Sequence, residues 1–126
     1  MLSDSTSPEP PSLPLAVRLF NAHEYFACHD VLEELWGETL GEDRDFLQGL
    51  LHAAVSLFHL SEGNPAGAHK MHASTLRYLS SYPDRYQGVD LAQLRRDLTA
   101  CFAAARAGVP TNLSAYPVLS WSSADE

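Results

Sequence analysis

Side chains able to move protons, hold an ion or grip a polar ligand sit at helical spacings in two neighbouring stretches: His29, Glu33 and Trp36 in the first, Gln48 and His52 in the second. Wound at ~100° per residue, residues 25–40 place Tyr25, Phe26, Cys28, Val31, Leu32, Leu35, Trp36 and Leu40 on one broad apolar arc. His29 and Glu33 fall inside that arc, whereas Asp30, Glu34 and Glu38 fall on the opposite side. An acid and a base facing a core need partners, because a buried polar group without a hydrogen bond costs ~1–3 kcal/mol. One turn apart, His29 and Glu33 form a general acid and base where ligand and water reach them, and a structural pin where they do not. Trp36 is either a core plug or a pocket wall whose indole N–H donates to Glu33.

In the second stretch Gln48, His52, Ser56 and His59 form a narrow polar strip on a mostly apolar helix. The strip is either the wet edge of that helix or the face that meets His29 and Glu33 across an interface. In the second case the site suits a small polar ligand, and His29, Glu33, His52 and His59 offer the imidazole and carboxylate donors that a divalent metal takes. The spacing lacks the second histidine of a zincin helix and the Glu-x-x-His pairs of di-iron bundles. No nucleophile elbow and no phosphate-cradling glycine loop occurs. His69 and His72, without a nearby carboxylate, read as interface residues.

The elements that position these groups are all helical. Residues 1–14, rich in proline and serine, read as a disordered arm. A short helix begins near Leu15, and the motif helix runs from about Tyr25 to Gly41. A third, with Asp43 and Asp45 as caps, ends at Gly63. Asn64 and Pro65 start a fourth that stops before Pro83. Asp90 with Gln93 resembles a capping box opening a fifth, closed by Gly108. The predicted fold is all-α, a compact antiparallel array of about five helices over residues 15–109, with 110–126 as an extended tail. An offset of forty residues pairs Val17 with Leu57, Phe20 with Leu60 and His29 with His69, which suggests two stacked helical hairpins.

At 126 residues the chain suits one domain. Eight Lys and Arg against sixteen Asp and Glu give a net charge of −8, with no basic cluster, which argues against nucleic acid as a partner. Residues 46–61 carry no Lys, Arg, Asp or Glu, yet fall short of the ~20 residues of a membrane span and include two histidines. The amino end lacks the pattern of a secretion signal, so a cytoplasmic location is expected. Cys28 and Cys101 fall on apolar helix faces and read as buried thiols. The rival to a ligand or acid–base site is a structural or interaction module. There the polar motif only fixes helix packing, and an exposed apolar face makes a homodimer.

The run FNAHEYFACHDVLEELW, followed by FLQGLLHAAVSLFH and EGNPAGA, resembles the bacterial and archaeal domain-of-unknown-function family 309. That family shows a His-x-x-x-Glu-x-x-Trp segment, a Gln-Gly-Leu-Ile-Gln-like helix and a Gly-Asn-x-x-Gly-Ala turn. Here His29, Glu33 and Trp36 occupy the first motif, Gln48, Gly49 and Leu50 the second, and Asn64, Gly67 and Ala68 the third. Asp30 stands where Glu is usual, and His52 where a second Gln is common. The resemblance implies an all-helical bundle and a small cytoplasmic protein, and supplies no activity.

Overall fold

The computed structural model describes residues 9–109 and 112–122. Five α-helices follow one another: α1 (Leu13–Asn21), α2 (Tyr25–Gly37), α3 (Asp43–Ser61), α4 (Pro65–Leu79) and α5 (Leu91–Arg106). A two-strand hairpin, β1 (Arg85–Tyr86) with β2 (Val89–Asp90), precedes α5, and one 3-10 turn spans Leu113–Ala115. The all-α class read from the sequence therefore holds. Most of the arm expected over residues 1–14, and residues 110–111 and 123–126 of the expected tail, lie outside the described residues.

Local chemistry fixes where each helix begins. Ser12 accepts from the Leu15 amide at 3.2 Å and Pro14 occupies the first turn, so α1 starts before the apolar spacing begins. Asn64 accepts from Gly67 N at 3.1 Å and Asp90 from Gln93 N at 3.0 Å, the two caps legible in the sequence. Asp43 and Asp45 do not cap α3 through their side chains. Instead the Tyr82 hydroxyl, thirty-six residues on, accepts from Phe46 N at 2.9 Å and donates to the Glu42 carbonyl, while Tyr86 donates to Asp43. The α2 helix stops at Gly37 rather than Gly41, because the Arg44 guanidinium takes the carbonyls of Trp36 and Thr39 at 3.1 and 2.9 Å.

The corners after α1 and α3 close alike. Glu24 N donates to Leu19 O and His23 N to Phe20 O; forty residues on, Asn64 N donates to His59 O and Gly63 N to Leu60 O. Both are Schellman closures with a left-handed residue, His23 at φ 65° and Gly63 at φ 76°. The forty-residue echo in the sequence thus has a physical counterpart in two matching helix corners.

Helix α3 is the hub, with Leu50, Ala53, Ala54 and Leu57 fully buried between α2 on one side and α4 on the other. Gly49 permits the close α3–α4 approach, since a β-carbon there would stand 2.5 Å from Leu79 Cδ2. The hairpin was not foreseen; its signal is Gln87-Gly88, both with positive φ, between Tyr86 and Val89. Beyond it, Tyr116 and Leu119 are buried, and the Asn21 side-chain amide bonds both the N–H and the carbonyl of Leu119 at 2.7 and 3.0 Å.

Candidate functional site

Three residues of α2 are buried: Tyr25, Cys28 and Leu32. Measured around the helix from Leu32 at ~100° per residue, His29, Glu33 and Phe26 lie on one edge at ~60°, ~100° and ~120°. That geometry explains why the broad apolar arc was too generous. Phe26 is 60% exposed, Glu33 is exposed, and Leu40, beyond the helix, is 86% exposed. The inward orientation expected for Glu33 is therefore not what the helix adopts, because its position lies at the margin of the buried stripe.

Helix α3 runs antiparallel beside this edge: the Phe26 and Phe58 rings are 5.8 Å apart at one end, and Arg44 lies 3.7 Å over the Trp36 ring at the other. Between the helices opens a groove of ≈ 170 Å³ lined by Tyr25, Phe26, His29, Val55, Phe58 and His59. The His29 side chain is 25% exposed, its ring centroid 5.6 Å from that of Phe26 and its Nδ1 3.2 Å from Asp30 Oδ1. One donor atom each from His29, Asp30 and Glu33 lies within 4.8 Å of the others, close enough to share one ion.

Gln48 and His52 belong to a different arrangement. The Gln48 amide nitrogen is 2.8 Å from His52 Nε2, and His52 Nδ1 is 2.7 Å from the hydroxyl of buried Ser74 on α4. With the amide donating, the imidazole is neutral and donates through Nδ1 to Ser74, which also accepts from Arg77 at 3.2 Å. Burial holds the His52 pKa below its ordinary 6.5, and the nearby positive charges of Arg77 and His29 push the same way. Both ring nitrogens are engaged, so His52 has no lone pair to spare for an ion.

Of the residues singled out by sequence, the structure gathers His29, Glu33 and His59 along the α2–α3 edge, and joins Gln48 to His52 in the α3–α4 seam. Trp36 lies under Arg44 and makes no hydrogen bond to Glu33 among the described residues. His59 lines the groove and lies 3.4 Å from the Asn64 amide. Sequence reasoning missed Phe58 and Val55, which looked like core, and Asp30, which sits beside His29. Ser74 and Arg77 carried no signal twenty-two or more residues from their partner. His72 stacks on Phe102 at 4.7 Å between α4 and α5, and burial lowers its pKa. The Cys28 thiol, 3.3 Å from Ala16 O, is pushed up to about 12 by burial, which makes it no nucleophile.

Residues 13–71 match the family model described as Domain of unknown function (DUF309). Two curated relatives are similar: an uncharacterized protein of Aquifex aeolicus (strain VF5), 29% identical over 75% of this chain and 28% of its own length, and the uncharacterized protein YpuF of Bacillus subtilis (strain 168), 35% identical over 52% of this chain and 38% of its own. The chain therefore spans about a third of the curated relatives it matches. The crystal structure of the conserved hypothetical protein TTHA0068 from Thermus thermophilus superposes with a TM-score of 0.66 at 26% identity, covering 76% of this chain and 100% of that one. No helix of the described residues is long and apolar enough to cross a membrane. Every residue lining the α2–α3 groove falls inside the matched segment, whereas Ser74 and Arg77 fall outside it.

Proposed function

We propose that this protein, whose residues 13–71 match the DUF309 model, is a docking module whose α2–α3 groove receives an apolar side chain of a partner. The observation that carries this reading is Phe26, 60% exposed at the rim of a groove floored by Tyr25, Val55 and Phe58. A large apolar side chain at the mouth of an apolar groove is the usual mark of a contact surface. At ≈ 170 Å³ the groove suits a single anchor, since ~150 Å³ of apolar cavity holds a benzene-sized group.

The motif residues support the same division of labour. Gly49 makes room for Leu79, Asn64 caps α4, Ala68 is buried, Trp36 lies under Arg44, and Gln48 holds His52. Glu33, exposed and without a hydrogen bond among the described residues, has no such task, and it stands beside groove-lining His29. Recurrence of the segment in relatives several-fold different in length fits a module used in different chain contexts. The test is amide chemical-shift mapping with N-acetyl-phenylalanine methylamide. Shifts are expected at Phe26, His29, Val55, Phe58 and His59, and loss of them in Val55→Glu. Shifts scattered over the surface, or confined to the cleft between Asp97 and Val118, would refute docking at this groove.

A second reading rests on the shared reach of His29, Asp30 and Glu33. These donors suit a divalent ion completed by water or by a small polar ligand, with His29, oriented by Asp30, as an acid–base group. Metal analysis of protein purified without chelator tests it. About one equivalent of zinc or manganese, abolished in Glu33→Gln, sustains the reading; a content far below that, with no rise in melting temperature on adding either ion, removes it.

A further inference from the structure

The chemistry of the groove's surroundings names the kind of partner. Residues 19–69 hold nine acids against the single base Arg44, and the seven acids and seven bases elsewhere cancel, so the whole net charge of −8 lies in the stretch that builds α2 and α3. Arg44 is itself committed to Trp36 and the end of α2. Asp30 and Glu33, both exposed, come within 4.8 Å of the His29 donor atoms. Exposed Glu24 precedes α2 and exposed Glu62 follows α3, and the antiparallel pairing brings those two helix ends to the same end of the groove. An apolar slot for one side chain is thus flanked by carboxylates along its α2 edge and at its end.

Resting on the docking reading above, we propose that the occupant is an amphipathic helical segment bearing one large apolar anchor, with Lys or Arg about one to two turns to either side. Helix-in-groove recognition uses this combination, in which the anchor supplies affinity and the charges supply orientation and encounter rate. A second copy of this chain is disfavoured as the occupant. A two-fold contact through the groove would set Asp30 and Glu33 of one copy beside those of the other, carboxylate against carboxylate. The same carboxylates disfavour a carboxylate-rich or nucleic-acid partner at this groove.

The test uses three amidated helical peptides of about sixteen residues with leucines at i, i+3, i+4 and i+7, and Lys, Gln or Glu at the remaining positions. The Lys peptide is expected to bind with amide shifts centred on Phe26, His29, Val55 and Phe58. Its affinity should fall about tenfold in Asp30→Lys/Glu33→Lys and weaken with salt, while Asp45→Lys at the far end of α3 leaves it nearly unchanged. The double reversal should also gain affinity for the Glu peptide. Equal losses in Asp45→Lys would mean diffuse attraction and overturn the proposal, as would dimers of the protein that dissociate in Phe26→Ser. Binding of the Gln peptide as tight as that of the Lys peptide would overturn the basic partner and leave the docking groove standing. Failure of all three peptides to move the groove amides would remove both.

Discussion

His29 and His52 stand on neighbouring helices, close enough for the charge of one to depress the pKa of the other, and the molecule treats them in opposite ways. His52 is turned into the α3–α4 seam, where Gln48 and Ser74 take both ring nitrogens and Gly49 lets Leu79 close over the same helix face. His29 is left on the α2–α3 edge, bonded to its neighbour Asp30, beside exposed Glu33 and exposed Phe26. The seam ties His52 into a closed chain of hydrogen bonds and packs α3 tightly on α4, leaving the buried Thr75 hydroxyl as the one unpaired side-chain polar atom among the described buried residues. The edge leaves Glu33 and much of Phe26 in solvent, held by little more than the contacts of the Phe26 ring with His29 and Phe58.

The contrast is broken most severely by cutting the seam. Leu79→Ala removes a fully buried side chain and is expected to cost ~2–5 kcal/mol in urea unfolding. Gly49→Ala forces a β-carbon against Leu79 and should cost ~1–3 kcal/mol. The double variant is expected to lose less than the two losses together, because the truncated side chain no longer meets the new methyl. Additive losses would mean that Gly49 has some other task. Ser74→Ala leaves the His52 Nδ1 hydrogen and the Arg77 guanidinium short of a partner in the seam, and about 1–3 kcal/mol should go with them.

Acidification sharpens the comparison from another side. His52 and His72 are both held below the ordinary 6.5, chiefly by burial, so the unfolded chain takes up their protons first as pH falls. Their contribution to stability is complete above pH ~6.5 and is lost as pH drops through the lower folded values. Melting temperature is expected to be flat above neutrality and to fall below pH 6.5, with part of that slope removed by His52→Gln, which keeps an amide donor for Ser74. An unchanged slope in both His52→Gln and His72→Gln would show that neither ring is the sensor. His72 is faced by His69 of its own helix and by Thr99, Phe102 and Arg106 of α5, so Arg106→Gln should raise its folded pKa and shallow the slope.

Much of this division was visible in the residues alone. Apolar periodicity and the Asn64 and Asp90 caps located the helices, because each is a local rule acting over three or four residues. What escaped was set by distant partners: Tyr82 capping α3 from thirty-six residues away, Asn21 pairing with Leu119, and Ser74 completing the His52 chain. The candidate site was half legible. Type and spacing chose His29 and Glu33, but a helical wheel gives only angle. It could not say that the buried stripe ends between ~60° and ~100° from Leu32, which separates an inward acid from an outward one.

The smallest expected effect is the most telling. Phe26→Ser combined with Glu33→Gln removes the two side chains that distinguish the open edge, and serine and phenylalanine have similar helix propensities. Equilibrium urea unfolding of this double variant should fall within about 1 kcal/mol of the parent, because the contacts of the Phe26 ring with Phe58 and His29 are the main interaction lost. A loss of ~2 kcal/mol or more would mean that the α2–α3 edge holds the fold together like the seam, and the groove would no longer stand as a surface kept for a partner.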